Sequence, residues 1–149
     1  MNDRENQLKA AIRTGLNIIG YKDNTEKMLR EKLARRGYDC DVVEDAVGYL
    51  KSKGYLNEMK MLDSAVHSLA LSKLYGKPRI IRELAAKGFS RDSISDYFAS
   101  GDADDIDFFA VCRKAFEKHG GETDRKTYAY LCRRGFGADE ISRVFRERK

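Results

Sequence analysis

The fold is decided by a six-residue block that occurs three times in the chain. Residues 33–38 read Leu-Ala-Arg-Arg-Gly-Tyr, residues 84–89 read Leu-Ala-Ala-Lys-Gly-Phe, and residues 131–136 read Leu-Cys-Arg-Arg-Gly-Phe. Each copy has a leucine, two further residues, a basic residue, a glycine and an aromatic residue. An aspartate and then a β-branched aliphatic residue follow each glycine at matching distances. Three copies that also agree downstream indicate an internal repeat.

Each block predicts the end of one helix and the start of another. Glycine readily adopts the left-handed conformation just beyond a helix C-terminus, and a base in the last turn interacts favourably with the helix dipole. Asp39 and Ser90 are then good N-caps for the following helix, whereas Gly137 is a poorer one. The repeated unit is therefore predicted to be a helix, a tight turn and a second helix.

A further helix is predicted before each of these pairs, over residues 8–19, 58–74 and 105–118. Apolar residues in the chain recur at helical intervals, and no convincing segment alternates with the period of two that strands require. The predicted fold class is therefore all-α, with three tandem three-helix, helix-turn-helix-like repeats. Their predicted boundaries are residues 1–54, 55–103 and 104–149.

Composition and charge narrow the class of protein. The 149 residues are 36% charged and 42% hydrophobic, and the formal net charge is +5. That balance predicts a mild attraction for phosphate backbones or acidic partner surfaces. No apolar run approaches the roughly 18 residues of a membrane span, and the polar N-terminus predicts no secretory signal. We therefore expect a cytoplasmic protein that does not bind membranes.

The sequence carries no recognisable catalytic signature. It has no glycine-rich phosphate-binding loop, and neither His67 nor His119 has the spacing of a metal ligand. We interpret His67 as a surface or packed helix residue. Cys112 and Cys132 are interpreted as buried, inert thiols because no histidine partner is indicated. The predictions are that the protein is not an enzyme and has no catalytic residue, cofactor or metal.

Basic side chains are the candidate contacts to a partner. They are Arg35, Arg36, Lys87, Arg133 and Arg134 before the repeat glycines, Lys77, Arg79 and Arg82 around Pro78, and Arg143 near the end of the chain. For the residues before the glycines, helix-end charge and partner binding are equally good explanations. Because no aromatic residues interleave with these cations, any nucleic-acid contact is expected to be mainly to phosphates, with weak sequence preference.

The cluster of Lys77, Arg79 and Arg82 is favoured among these candidates. Cations at a helix N-terminus oppose the helix dipole, so their position has no obvious structural reason. Lys77 and Arg79 flank Pro78 and are predicted to be exposed. Replacement of all three by alanine is therefore expected to leave folding intact and to weaken partner binding.

Longer segments resemble a known family, the RecX regulators of the bacterial RecA recombinase. Residues 75–89, Tyr-Gly-Lys-Pro-Arg-Ile-Ile-Arg-Glu-Leu-Ala-Ala-Lys-Gly-Phe, are similar to the signature of the family's second repeat. Residues 53–58, Lys-Gly-Tyr-Leu-Asn-Glu, resemble the junction between its first and second repeats. Lys22, Thr25 and Leu29 stand where the family often has Arg, Ser and Leu. The resemblance extends over nearly the whole chain.

The resemblance implies a fold and a function. It implies an elongated, curved array of three repeats that binds in the groove of the RecA–DNA filament. It also implies that the protein modulates, and most often inhibits, the ATPase, recombinase and coprotease activities of RecA, and so acts in DNA repair, recombination and the SOS response. The expected partners are the RecA filament and, weakly and non-specifically, single- or double-stranded DNA. The protein itself is expected to be a monomer.

Two alternatives belong to other functional classes. The first is a transcription regulator that reads the DNA major groove with one helix-turn-helix. Asp41, Asp92 and Asp139 begin the second helix of each pair, where acids would repel phosphates, and so disfavour that alternative. The second is a helical adaptor that binds only proteins. A salt-dependent DNA-binding assay separates the adaptor from the other two.

Overall fold

The computed structural model describes residues 3–21 and 24–148, which form nine α-helices and no strands. The helices are α1 (Asp3–Tyr21), α2 (Glu26–Arg35), α3 (Cys40–Ser52), α4 (Glu58–Leu71), α5 (Lys77–Ala86), α6 (Arg91–Ala99), α7 (Phe108–Lys118), α8 (Arg125–Arg133) and α9 (Ala138–Arg148). The predicted all-α fold is thus confirmed. Lys22, one of the residues on which the family resemblance rests, lies outside the described residues.

The repeat glycines end helices in the predicted way. They follow α2, α5 and α8 with φ of 94°, 102° and 98° (Gly37, Gly88 and Gly135). The basic residue before each glycine is the C-cap of the helix (Arg36, Lys87 and Arg134). A left-handed residue after the cap lets the chain turn sharply while the last carbonyls of the helix find donors.

The N-caps after these turns differ from copy to copy. Ser90 caps α6, since its Oγ accepts a hydrogen bond from the Ser93 amide at 3.1 Å. Asp39 lies at the N-cap of α3, but its carboxylate makes no capping hydrogen bond within the described part of the chain. Gly137 has no side chain to offer, and the Glu140 carboxylate instead accepts from its amide at 3.0 Å. That contact is the reverse half of a capping box.

Two predicted helices have different bounds in the structure. The helix predicted over residues 58–74 ends at Leu71, and the chain then turns at Leu74, whose φ is 59°. The helix predicted over residues 105–118 begins at Phe108. Asp107 sets that start, because its carboxylate accepts from the amides of Phe109 and Ala110 at 3.1 and 3.2 Å.

The first compact unit comprises Met1–Met61 and Gly88–Ser93. Helices α1, α2 and α3 pack against one another around buried side chains of Ala11, Leu29, Leu33, Val42, Val43, Ala46, Val47, Leu50 and Leu56. The Glu58 carboxylate joins two other elements of this unit. It accepts from the Glu26 amide at 2.8 Å and from the Ser93 hydroxyl at 3.0 Å, so it places negative charge at the start of α2, where the helix dipole favours it.

The second compact unit comprises Leu62–Lys87 and Ile94–Lys149. Its helices α7, α8 and α9 pack against one another, and their buried side chains include Val111, Phe116, Leu131 and Ile141. Tyr97 is fully buried, and its hydroxyl donates to the Asp63 carboxylate at 2.7 Å. Among the helices described, none is long and apolar enough to cross a membrane.

Candidate interaction surface

Within the second unit, the start of α5 lies directly against the turn after α8. The Gly76 amide donates to the Arg134 carbonyl at 2.8 Å. A Cβ on Gly76 would lie 2.3 Å from the Gly135 carbonyl oxygen, and a Cβ on Gly135 would lie 2.4 Å from the Cβ of Arg79. Both positions therefore require glycine, because the two backbones approach too closely for any side chain.

Two arginines reinforce this contact, which we call the α5–α8 junction (Tyr75, Gly76, Arg79, Arg134 and Gly135). Arg79 Nη1 donates to the carbonyl of Arg133 at 2.8 Å, and Arg134 Nε donates to the carbonyl of Leu74 at 3.2 Å. Both guanidinium groups lie over the Tyr75 ring, 4.4 and 4.8 Å from its centroid. The carbonyl of Arg133 at the end of α8 and that of Leu74 in the turn before α5 thereby receive donors, and two cations gain a favourable aromatic face.

Arg79 therefore corrects a sequence-based prediction. It was expected to be exposed and dispensable for folding, yet its side chain is only 29% exposed and forms an ion pair with Glu83 at 2.9 Å. The unfavourable dipole at the start of α5 is offset by this carboxylate and by the carbonyl of Arg133. Replacement of Lys77, Arg79 and Arg82 together would consequently disturb the junction as well as any contact surface.

A groove of about 670 Å³ opens beside the junction. Its lining includes Lys77, Ile81, Arg82, Cys132 and Phe136. Lys77 and Arg82 are exposed, and Ile81 is 37% exposed. The Lys77 ammonium lies 4.7 Å from the centroid of the Phe98 ring, which holds the charge in place.

Among the residues that the structure describes, the two cations of this groove, Lys77 and Arg82, have no ion-pair partner. The carboxylates of Glu83 and Glu140 are engaged by Arg79 and by the Gly137 amide. We call this surface the basic groove, defined by Lys77, Ile81, Arg82, Cys132 and Phe136.

The remaining candidate residues lie elsewhere. Arg35 and Arg36 are exposed at the end of α2, in the first unit. Lys87 is exposed at the C-cap of α5, and Arg133 is exposed at the end of α8. Arg143 lies on α9 with its guanidinium 3.8 Å from the centroid of the Phe109 ring. Of the predicted set, the structure therefore brings Lys77 and Arg82 together in the groove and commits Arg79 and Arg134 to the junction.

The cysteines separate into two kinds. Cys112 is fully buried, and this burial raises the pKa of its thiol to about 12. The prediction that Cys132 is also buried is wrong, because it is exposed and lines the basic groove. Its neighbour Leu131 lies with Thr127 on the buried face of α8, and the next position on a helix points away from that face.

His67 is a partly buried helix residue and not isolated. Its Nδ1 lies 2.8 Å from the carbonyl oxygen of Asp63, and its Nε2 lies 3.0 Å from Asp105 Oδ1. Each ring nitrogen faces an acceptor oxygen and must carry a proton to donate to it, so the two contacts together favour the protonated imidazolium. The pKa of His67 is therefore raised, first by the hydrogen bond to the Asp63 backbone and then by the one to Asp105. No group of three or more potential metal ligands is found among the described residues.

Sequence reasoning did not place Ile81 and Phe136 in the basic groove or Tyr75 in the α5–α8 junction. Phe136 belongs to the third copy of the repeated block, and Tyr75 and Ile81 belong to the segment of residues 75–89, but nothing placed the three together. The missing information is long-range, since the groove forms only when the start of α5 meets the turn after α8. The glycines at 76 and 135 were the local signal of that close approach.

Comparisons with known proteins agree on one family. Residues 11–50 match the family model described as "RecX, first three-helix domain". The "Regulatory protein RecX" of Clostridioides difficile is 30% identical, with 95% of this chain and 69% of that protein covered. The protein of the same name from Pelodictyon phaeoclathratiforme is 27% identical, with coverage of 95% and 91%. A crystal structure of RecX from Lactobacillus salivarius superposes with a TM-score of 0.76 over 96% of this chain and 97% of that one, at 18% identity.

Proposed function

The chain belongs to the RecX family, and we propose that it is a non-catalytic regulator that binds the RecA–DNA filament and inhibits RecA. The inhibited activities are the ATPase, recombinase and coprotease activities. Two findings support this proposal: the resemblance of residues 53–58 and 75–89 to the family's repeats, and relatives that are named regulatory proteins. Since such a regulator must reach DNA-bound RecA, we propose that it acts in the cytoplasm.

The proposal is assigned to particular residues because the basic groove holds two cations that form no ion pair within the described chain. Lys77 and Arg82 are exposed and form no ion pair within the described chain, although charged side chains of both signs are plentiful. A filament of protein and DNA presents acidic side chains and phosphates, which attract such cations. We propose that Lys77 and Arg82 contact the filament and that Arg133, exposed at the end of α8, is a further contact, while Arg79 and Arg134 stabilise the α5–α8 junction.

RecA ATPase activity on single-stranded DNA tests this proposal. The wild-type protein should lower the ATPase rate in a concentration-dependent way. The double variant Lys77→Ala/Arg82→Ala should need on the order of tenfold more protein for half-inhibition, because each partly exposed charge contact contributes about 1 kcal/mol or less. Neither residue contributes to the α5–α8 junction, so the double variant should fold normally.

A matched control removes the same charge from another helix start. Arg125 and Lys126 are exposed in the first turn of α8, where they oppose the helix dipole as Lys77 does. Arg125→Ala/Lys126→Ala should inhibit like the wild type. An equal loss in both double variants would mean that only net charge matters, and no effect of the wild type at saturation would contradict the proposed function.

The transcription-regulator alternative predicts a different behaviour. Asp41, Asp92 and Asp139 lie exposed in the first turns of α3, α6 and α9, where they would repel the phosphates that flank a major groove. We therefore propose that DNA binding without RecA is weak, decreases further with salt and barely distinguishes sequences. A tight, sequence-specific complex that persists at high salt would favour the alternative.

A further inference from the structure

We propose that the basic groove binds an acidic segment of a protein partner, in which one aliphatic side chain stands between carboxylates. This inference deepens the proposed function, on which it rests for its biological setting, because it gives the chemistry of the partner at the same site. It is carried by the combination of an apolar lining with two unpaired cations in one groove.

The apolar part of the groove has room for a side chain. Ile81 is a large aliphatic residue that remains 37% exposed, and Pro78 beside it is also exposed. The groove is open to solvent, and an aliphatic side chain of a bound segment that packs on Ile81 and Pro78 would remove apolar surface of both partners from water.

The cations supply the charge complementarity. Lys77 and Arg82 are five positions apart on α5, which separates them by roughly 7.5 Å along the helix axis. An aliphatic residue flanked by acids places its carboxylates on either side of the apolar contact. Each carboxylate can then accept charge-assisted hydrogen bonds from one cation. Because no carboxylate of the described chain pairs with these two cations, the segment displaces no existing ion pair.

The lining favours a peptide over a nucleic acid. Proteins bind single strands by stacking bases on exposed aromatic rings, but Phe136 is 4% exposed. The neighbouring Tyr75 ring is covered by the guanidinium groups of Arg79 and Arg134. Phosphates could use Lys77 and Arg82 but would leave Ile81 in contact with water. An acidic segment with an aliphatic residue uses both parts of the groove.

Cys132 gives a direct readout of occupancy. The variant Cys40→Ser keeps two thiols. Cys132 is exposed in the groove. Cys112 is buried, and because its pKa is raised to about 12 it reacts slowly. The rate of modification by a thiol reagent then reports on the groove alone. The probe is a short synthetic peptide with one leucine between glutamates, and its dissociation constant is measured in parallel by calorimetry.

We expect saturating peptide to slow Cys132 modification severalfold. Lys77→Ala/Arg82→Ala should weaken peptide binding on the order of tenfold, whereas Arg125→Ala/Lys126→Ala should leave it unchanged. Absence of protection would overturn the inference. Equal protection by a peptide with serine in place of leucine would overturn it too, because only charge would then matter, and stronger protection by single-stranded DNA would assign the groove to nucleic acid.

RecA inhibition measured on the same Cys40→Ser protein separates the two hypotheses. If RecA is inhibited through Lys77 and Arg82 but the peptide does not protect Cys132, the inference is wrong and the proposed function stands. If the peptide binds in the groove as described but RecA activity is unaffected, the inference is supported and the proposed function is wrong.

Discussion

Replacement of Gly76 by alanine should destabilise the second unit, although the φ of Gly76, −79°, suits any residue. The added Cβ would lie 2.3 Å from the Gly135 carbonyl oxygen, a backbone atom that no rotamer change can move away. Such overpacking costs about 1–3 kcal/mol. The backbone displacement that relieves this clash should also weaken the hydrogen bond from the Gly76 amide to the Arg134 carbonyl, which is 2.8 Å long. Loss of that bond costs about 1 kcal/mol. We expect a total loss of about 2–4 kcal/mol.

Two other glycines isolate the components of this effect. Gly37 has a φ of 94° but nothing within 4 Å of an added Cβ, so Gly37→Ala should cost only the left-handed strain, about 1–2 kcal/mol. Gly135 combines a φ of 98° with a Cβ position 2.4 Å from Arg79 Cβ. Gly135→Ala should therefore be the most damaging of the three.

Urea denaturation followed by far-UV circular dichroism measures the three losses, and amide hydrogen exchange localises them. Gly37→Ala is expected to be the least destabilised variant and Gly135→Ala the most destabilised, with Gly76→Ala between them. Protection of the α5 and α8 amides should fall in the last two variants and stay unchanged in the first. A Gly76→Ala protein as stable as the wild type would refute the close approach of the α5 start to the α8 turn.

Three further predictions concern other contacts. Arg79→Ala should lower the free energy of unfolding by about 1–3 kcal/mol through loss of its hydrogen bonds and aromatic contact, whereas Arg82→Ala should change it by less than about 0.5 kcal/mol, as urea titration will show. Gly88→Val should lower the melting temperature clearly, because the φ of Gly88 is 102° and an added Cβ would lie 3.1 Å from Thr25 Oγ1, and a β-branched residue resists a positive φ. An unchanged melting temperature would contradict the left-handed turn. Because the pKa of His67 is raised in the folded protein, its contribution to stability should be complete below pH 6.5 and be lost as the pH rises through the raised value. Urea titrations of Asp105→Asn should show a smaller loss of unfolding free energy over that pH range than the wild type.

The helical elements were predictable because their signals are local. The block at residues 33–38 and its two copies predicted three helix ends, and all three glycines have the left-handed φ that was expected. The apolar residues that recur at helical intervals include Val42, Val43, Ala46, Val47 and Leu50, and the structure buries all five on one face of α3. The division into three repeats and the elongated shape stay predictions.

The partners of individual side chains were not predictable in the same way. Lys77, Arg79 and Arg82 meet the same unfavourable dipole at the start of α5, and nothing in their local sequence distinguishes them. Arg79 differs only because the carbonyl of Arg133 and the ring of Tyr75 lie within its reach. Cys132 was misplaced for a similar reason, since a helix of apolar neighbours does not by itself show which side meets the core.

The first and third copies of the repeated block show how one local signal serves two different surroundings. After α2, the space beside Gly37 is open and the flanking Arg35 and Arg36 are exposed. After α8, the equivalent Gly135 is in contact with the backbone of α5, and the equivalent of Arg36, Arg134, is drawn over Tyr75. In both places the glycine lets a helix end. In the α5–α8 junction it also permits the close approach of the two backbones. The same contact that partly covers Arg79 and Arg134 therefore fixes the start of α5, and with it the position of Lys77 and Arg82 in the basic groove.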